Sequence, residues 1–118
     1  NKRPKIMRVS VALHCGLAVN PLSIENQFQG GLIFGMSQLL PKGVITLKDG
    51  RVEQRNFDRL APPYIGDAPL RIDVHIVPSA EPPTGCGEPP VPVISPAVVN
   101  ALARLTGKRY RSLPLLAL

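Results

Sequence analysis

The sequence contains no tryptophan and only three phenylalanines and two tyrosines in 118 residues. So thin an aromatic set leaves little surface for stacking nucleic-acid bases, and a net charge of +6 permits an acidic partner without requiring one. Cysteine is equally scarce. Cys15 and Cys86 make neither a disulfide framework nor a CxxC knuckle and fix no cellular compartment, and with His14 and His75 they lack the clustered spacing of zinc ligands. No metal site is therefore read from the side chains. The apolar run near Leu32 is broken by glycines, Ser37 and Gln38 and falls short of the roughly 20 residues that cross a bilayer, so no membrane span is expected. GxSxG, GxGxxG and P-loop patterns are absent, which removes the sequence signals of a serine hydrolase elbow or a phosphate cradle. Lys2, Arg3, Lys5 and Arg8 precede a short apolar segment, but it alternates with polar residues and no small-residue cleavage site follows, unlike a signal peptide. Asn1 in place of an initiator Met, leading almost directly into that segment, is expected of a piece of a longer polypeptide.

What is present suits one packed unit. Hydrophobic residues make up 44% and charged residues 19%, a globular composition at single-domain length. Residues 6–13 alternate, with Met7, Val9, Val11 and Leu13 on the apolar face of a strand that needs a partner. Asn20-Pro21 reads as an N-cap followed by proline at the first helical position. Leu22, Phe28, Leu32, Met36 and Leu39 or Leu40 then recur at helical steps until Pro41. Lys48-Asp49-Gly50 is hairpin turn chemistry between residues 44–47 and 51–54. Residues 60–69 form a proline-rich loop, residues 70–77 alternate as a second long strand, and residues 78–92 hold too many prolines and glycines for regular structure. Ser95 as N-cap and Pro96 as first residue open a last helix that ends at Thr106 before Gly107, with Lys108, Arg109 and Arg111 beyond it. The fold class is α+β, in the order strand, helix, β-hairpin, strand, helix.

Two segments can carry chemistry. In Gly85-Cys86-Gly87-Glu88-Pro89-Pro90, Pro89 biases Glu88 away from helix and Gly87 allows close approach, so one carboxylate is aimed from a stiff loop. It is either a general base with a pKa tuned by burial or an ordinary turn glutamate. In the first helix, the Gln27 amide can both donate and accept to a heterocycle such as a pterin, and Gly30 and Gly31 open room for it. The alternatives are a solvated glutamine and a glycine stripe, Gly31 with Gly35, that packs against another helix.

Taken in order, Cys15-Gly-Leu-Ala-Val-Asn20-Pro, Gln27-Phe-Gln-Gly-Gly31, Phe34-Gly35 and Gly87-Glu88-Pro89-Pro90 resemble the C-terminal end of the molybdenum-binding subunit of the xanthine dehydrogenase/aldehyde oxidase family, the isoquinoline 1-oxidoreductase beta-subunit type above all. Lys48-Asp-Gly-Arg-Val52, Val74-His-Ile-Val-Pro78 and Thr106-Gly-Lys-Arg109 extend the likeness over nearly the whole chain. The resemblance implies that residues 1–118 are the C-terminal part of one molybdopterin-binding domain. It places Glu88 at the family's general base, which takes a proton from a molybdenum-bound hydroxyl as its oxygen attacks an electron-poor carbon. It places Gln27 at the glutamine that hydrogen-bonds the molybdopterin, with Gly30, Gly31 and Gly87 allowing close approach. The implied cofactor is molybdenum–molybdopterin, its cytosine dinucleotide form included, with iron–sulfur clusters on a partner subunit. The implied partners are the remainder of the molybdenum subunit, the iron–sulfur subunit and a small-molecule substrate, an N-heteroaromatic compound or an aldehyde. His14 departs from the pattern, standing where relatives usually carry Asp. The family's large subunit is also several times longer, so the rival reading is a non-catalytic remnant that keeps the fold without the cofactor. A basic nucleic-acid-binding protein is disfavoured by the few aromatics and scattered charge.

Overall fold

Alternation in residues 6–13 and 70–77 is resolved by one pairing. The computed structural model describes residues 4–115, so Lys2 and Arg3 of the basic N-terminal run lie outside the described residues. Strand β1 (Arg8–Leu13) runs parallel to β4 (Arg71–Ile76), with Val9 opposite Ile72, Val11 opposite Val74 and Leu13 opposite Ile76. Side chains in a parallel register share a face, so these six make one apolar surface, and helix α1 (Pro21–Gly35) and helix α2 (Pro90–Thr106) complete the core against it. Leu32 and Ile94, each 2% exposed, lie at the centre with Met36, Leu39, Leu102 and Leu115. Each such side chain contributes about 1.5–3 kcal/mol by leaving water.

The opposite face of the strand pair is charged. Arg8 and Arg71 are register partners, a like-charge pair that would be unfavourable alone. Asp73 accepts from both, Arg8 Nε at 2.6 Å and Arg71 Nε at 2.6 Å. Hydrogen bonding from Arg71 and then Arg8 holds the Asp73 carboxyl below its ordinary range.

Helix α1 begins as expected: the Asn20 side chain accepts from the Ser23 N–H at 3.2 Å, with Pro21 opening the helix. It stops at Gly35 and tightens into a 3-10 turn over Met36–Leu39 before Pro41, so the expected helix to Leu39 or Leu40 ends in a different winding. The hairpin is shorter than its flanking residues suggested. Strands β2 (Leu47–Lys48) and β3 (Arg51–Val52) pair antiparallel around Asp49 and Gly50, both at positive φ, and the Glu53 N–H donates to the Thr46 carbonyl beyond them at 3.0 Å.

The start of α2 corrects the sequence expectation. The helix opens at Pro90, not after Ser95, because proline is as compatible with the first turn as with a loop: Pro90 and Pro92 both lie where the N–H has no intrahelical acceptor. Ser95 is therefore no cap. It is buried inside the helix, and its hydroxyl donates to the Gly35 carbonyl at 3.3 Å, while exposed Pro96 sits in the helix interior. The helix ends at Thr106 ahead of Gly107, as expected, and the Lys108 ammonium lies 5.4 Å from the Tyr110 ring centre.

Candidate functional site

After Leu13 the chain turns through His14-Cys15-Gly16 toward α1. Gly16 has φ +74°, and a Cβ there would collide with the Pro82 carbonyl oxygen, so both conformation and space require glycine. The approach is held by two backbone hydrogen bonds: Leu17 N–H to the Glu81 carbonyl at 2.8 Å and Thr84 N–H to the Cys15 carbonyl at 2.8 Å. These fasten residues 81–84 to the β1–α1 turn. Residues 85–89 thus leave from a fixed point and end on Pro90, where Val91 N–H donates to the Glu88 carbonyl at 3.0 Å.

This loop meets the middle of α1. A Cβ built on Gly87 would have Gln27 Oε1 as its neighbour at 4.0 Å, and one on Gly31 would collide with the Pro90 ring and lie 3.4 Å from the Gly87 carbonyl oxygen. Gln27, Gly31 and Gly87 therefore share one edge of the molecule, with Glu88 next along the chain. Gly31 and Gly35 serve the crossing of α1 over α2, since a Cβ on Gly35 would collide with the Val91 carbonyl and reach Ile94 Cγ2 at 2.7 Å. Gly30, three residues along the helix from Gln27, is left uncovered, with nothing within 4 Å of its absent Cβ. Packing thus accounts for one glycine of the expected cofactor pair and leaves the other open. Glu88 is exposed, and no ion pair among the described residues engages it. The burial expected of a tuned base is not supplied by these residues.

Beside the loop, at the carboxyl end of β1, is a cavity of about 230 Å³ walled by Val11, Leu13, His14, Phe28, Gly85 and Pro89 among others. Parallel strands place ligands at this end. His14, whose Nε2 lies 3.9 Å from Glu81 Oε2, is the titratable group in that wall. Sequence reasoning placed Phe28 on the helix's apolar stripe without connecting it to the Gly85–Pro89 loop, since spacing alone does not separate a core residue from a cavity wall. A larger open groove of about 740 Å³ by the hairpin mixes Lys48, Arg51, Arg55 and Arg59 with Asp49, Glu53 and Asp58, so neither charge dominates it.

Among the described residues no three His, Cys, Asp or Glu side chains gather as metal ligands, and no helix is long and apolar enough to cross a membrane. The polar groups on the Gln27–Gly87 edge are an amide, backbone groups and one carboxylate. That set suits the hydrogen-bonding edge of an organic heterocycle.

Comparison with known proteins converges on one family. Residues 2–69 match the family model of the molybdopterin cofactor-binding domain, a match that includes Gln27, Gly30 and Gly31 and ends before Gly87 and Glu88. The chain is 33% identical over 110 residues to the beta subunit of isoquinoline 1-oxidoreductase from Brevundimonas diminuta, covering 93% of this chain and 14% of that protein. It is 31% identical over 107 residues to a membrane-bound aldehyde dehydrogenase (pyrroloquinoline-quinone) of Gluconacetobacter polyoxogenes, covering 91% of this chain and 14% of that protein. It is 30% identical over 113 residues to a nicotinate dehydrogenase subunit of Pseudomonas putida, covering 95% of this chain and 9% of that protein. The chain thus spans about a seventh or less of the length of these relatives. Among solved structures it is similar to a Cu,Mo-CO dehydrogenase in its carbon monoxide-reduced state, with a TM-score of 0.59, 27% identity, and coverage of 80% of this chain and 12% of that one.

Proposed function

Because this chain belongs to the molybdopterin cofactor-binding domain family, we propose that it is the C-terminal part of the molybdenum-binding subunit of an oxidoreductase that hydroxylates an N-heteroaromatic compound or an aldehyde with oxygen from water. The observation that carries this reading is the meeting of the Gln27 side chain and the Gly85–Glu88 loop at one edge, with Gly87 within about a side chain's width of Gln27 Oε1. Relatives named for isoquinoline, nicotinate and aldehyde oxidation support the substrate class.

The molybdopterin supplies the redox chemistry when bound. Gln27 holds it through an amide that pairs with donor and acceptor alike, and the open face at Gly30 admits its approach. Gly31 acts one step back, letting α2 close on α1, and Gly87 lies beside Gln27 Oε1 with Glu88 next along the chain at the same edge. Glu88 is the general base: it takes a proton from the attacking oxygen nucleophile at its carboxylate. Its exposure leaves that carboxylate free to face substrate, and the rest of the subunit, packed over this edge, supplies the exclusion of water. Cys15 and Cys86 offer no ligand set for an iron–sulfur cluster, so clusters that would accept the electrons would belong to a partner subunit.

Many large apolar side chains are exposed, Phe34 at 62% and Ile65 at 95% among them. Such side chains are available for burial against the remainder of the subunit. Elemental analysis of the protein purified from its native host, with intact masses of every co-purifying chain, tests the proposal. Near-stoichiometric molybdenum with larger chains supports it. A lone small chain free of molybdenum establishes the rival, a remnant that has lost the chemistry.

A further inference from the structure

Strand β1 spends only one edge of its backbone on β4. The ladder between them is closed at one end by the Arg71 N–H on the Met7 carbonyl, 3.2 Å, and at the other by the Val77 N–H on the Leu13 carbonyl, 2.8 Å. In a parallel ladder alternate residues face the partner, so with Val9 opposite Ile72 and Val11 opposite Val74 it is Val9, Val11 and Leu13 that bond to β4. The N–H and C=O groups of Arg8, Ser10 and Ala12 therefore point to the other edge. Among the described residues nothing pairs with them, and all three residues are exposed. The groups that β4 turns outward belong to Ile72, Val74 and Ile76, which are half-buried.

The β1 edge is also unguarded. Strands that face water permanently are blunted by proline, a bulge or charge. The residues of β1 include no proline, their register with β4 is unbroken, and their one charge, Arg8, is engaged by Asp73 at 2.6 Å. By contrast β4 carries Arg71, Asp73 and His75.

We propose that the open edge of β1 receives a β-strand from the remainder of the molybdenum subunit, which makes β1 an interior strand of a wider sheet. This rests on the reading of the chain as part of a larger subunit, and relatives about seven times its length or longer have the polypeptide to supply the strand. Whatever part of the subunit covers this edge must satisfy the N–H and C=O groups of Arg8, Ser10 and Ala12, and an extended strand does so through its own backbone. Its pattern follows from its neighbours: apolar residues beside Val9 and Val11, polar ones beside Arg8 and Ser10.

The test is amide hydrogen exchange of the intact protein with all its accompanying chains, resolved to single residues of β1 by fragmentation in the mass spectrometer. Ser10 and Ala12 are expected to exchange within about tenfold of Val9, Val11 and Leu13. An alternating pattern, with Ser10 and Ala12 faster than these neighbours by more than that, overturns the proposal. Exchange is measured again after the accompanying chains are stripped by salt and gel filtration, and again on dilution, with no change expected at Ser10 and Ala12. Faster exchange after stripping assigns the strand to a different subunit and faster exchange on dilution assigns it to a second copy; either overturns the choice of occupant. Molybdenum content reads the chemistry separately. A molybdenum-free subunit with slow Ser10 and Ala12 keeps the strand and removes the cofactor, and a loaded one with alternating exchange does the reverse.

Discussion

The Ser95 hydroxyl donates to the Gly35 carbonyl oxygen at 3.3 Å, joining the middle of α2 to the last residue of α1 where the helices are too close for a side chain on Gly35. Gly35→Ala would force the Val91 carbonyl and Ile94 apart. The expected cost is about 1–3 kcal/mol, read as a lowered urea midpoint of the intact protein with an unchanged slope.

Gly30→Ala should do the reverse to the free protein and harm the loaded one. Nothing occupies the space of its Cβ, and alanine in a helix interior gains up to about 1 kcal/mol over glycine. If the pterin lies against this face, the same methyl group lowers the molybdenum retained through purification. Stabilisation with undiminished molybdenum removes Gly30 from the cofactor contact.

Glu88→Gln in the complete enzyme keeps the shape of the side chain and removes the base. Turnover is expected to fall by about 10²–10⁴-fold at unchanged molybdenum content. Turnover near the wild-type level with cofactor bound would make the base assignment wrong.

Gln27→Leu removes the amide from an exposed helix position. Thermal stability without cofactor should therefore move little, within about 0.5 kcal/mol, while cofactor retention falls. Equal retention in the variant and the wild type would return Gln27 to the solvated surface.

The Asp73 ion cluster gives a pH dependence of known sign. Its carboxyl is held below the ordinary value of about 3.8 by Arg71 and Arg8, so its stabilising contribution is complete above that value and is lost as pH falls through the depressed folded-state value. Urea midpoints of the wild type should fall over this acidic window more steeply than those of Asp73→Asn. Parallel profiles would show that the two arginines contribute nothing through Asp73.

Local signals in the sequence were sound where the physics is local. Asn20-Pro21 starts a helix because the cap and the ring act within one turn, and Asp49-Gly50 reverses the chain through its own backbone. The α2 start misled because Pro90, Pro92 and Pro96 are each compatible with a loop or a first turn, and only the burial of Ser95 against Gly35 decides which. Strand alternation exposed the need for a partner without naming it, since the match of Val9 to Ile72 depends on chain far away. At the candidate site, motif order proposes Gln27 and Glu88, whereas the different surroundings of Gly30 and Gly31 follow from Pro90 and are not encoded in a Gly-Gly pair.

The parallel pairing of β1 with β4 also sets an order of events in time. Arg8 cannot find Arg71 until the helix and the hairpin between them have been synthesised, and closing so long a loop costs entropy before any strand bond forms. On the ribosome, β1 therefore emerges before β4 and waits for it, an interval in which the edge it gives to β4 is open to association with other nascent chains. The lysine and arginine at its leading end, Lys5 and Arg8, are gatekeepers for that wait.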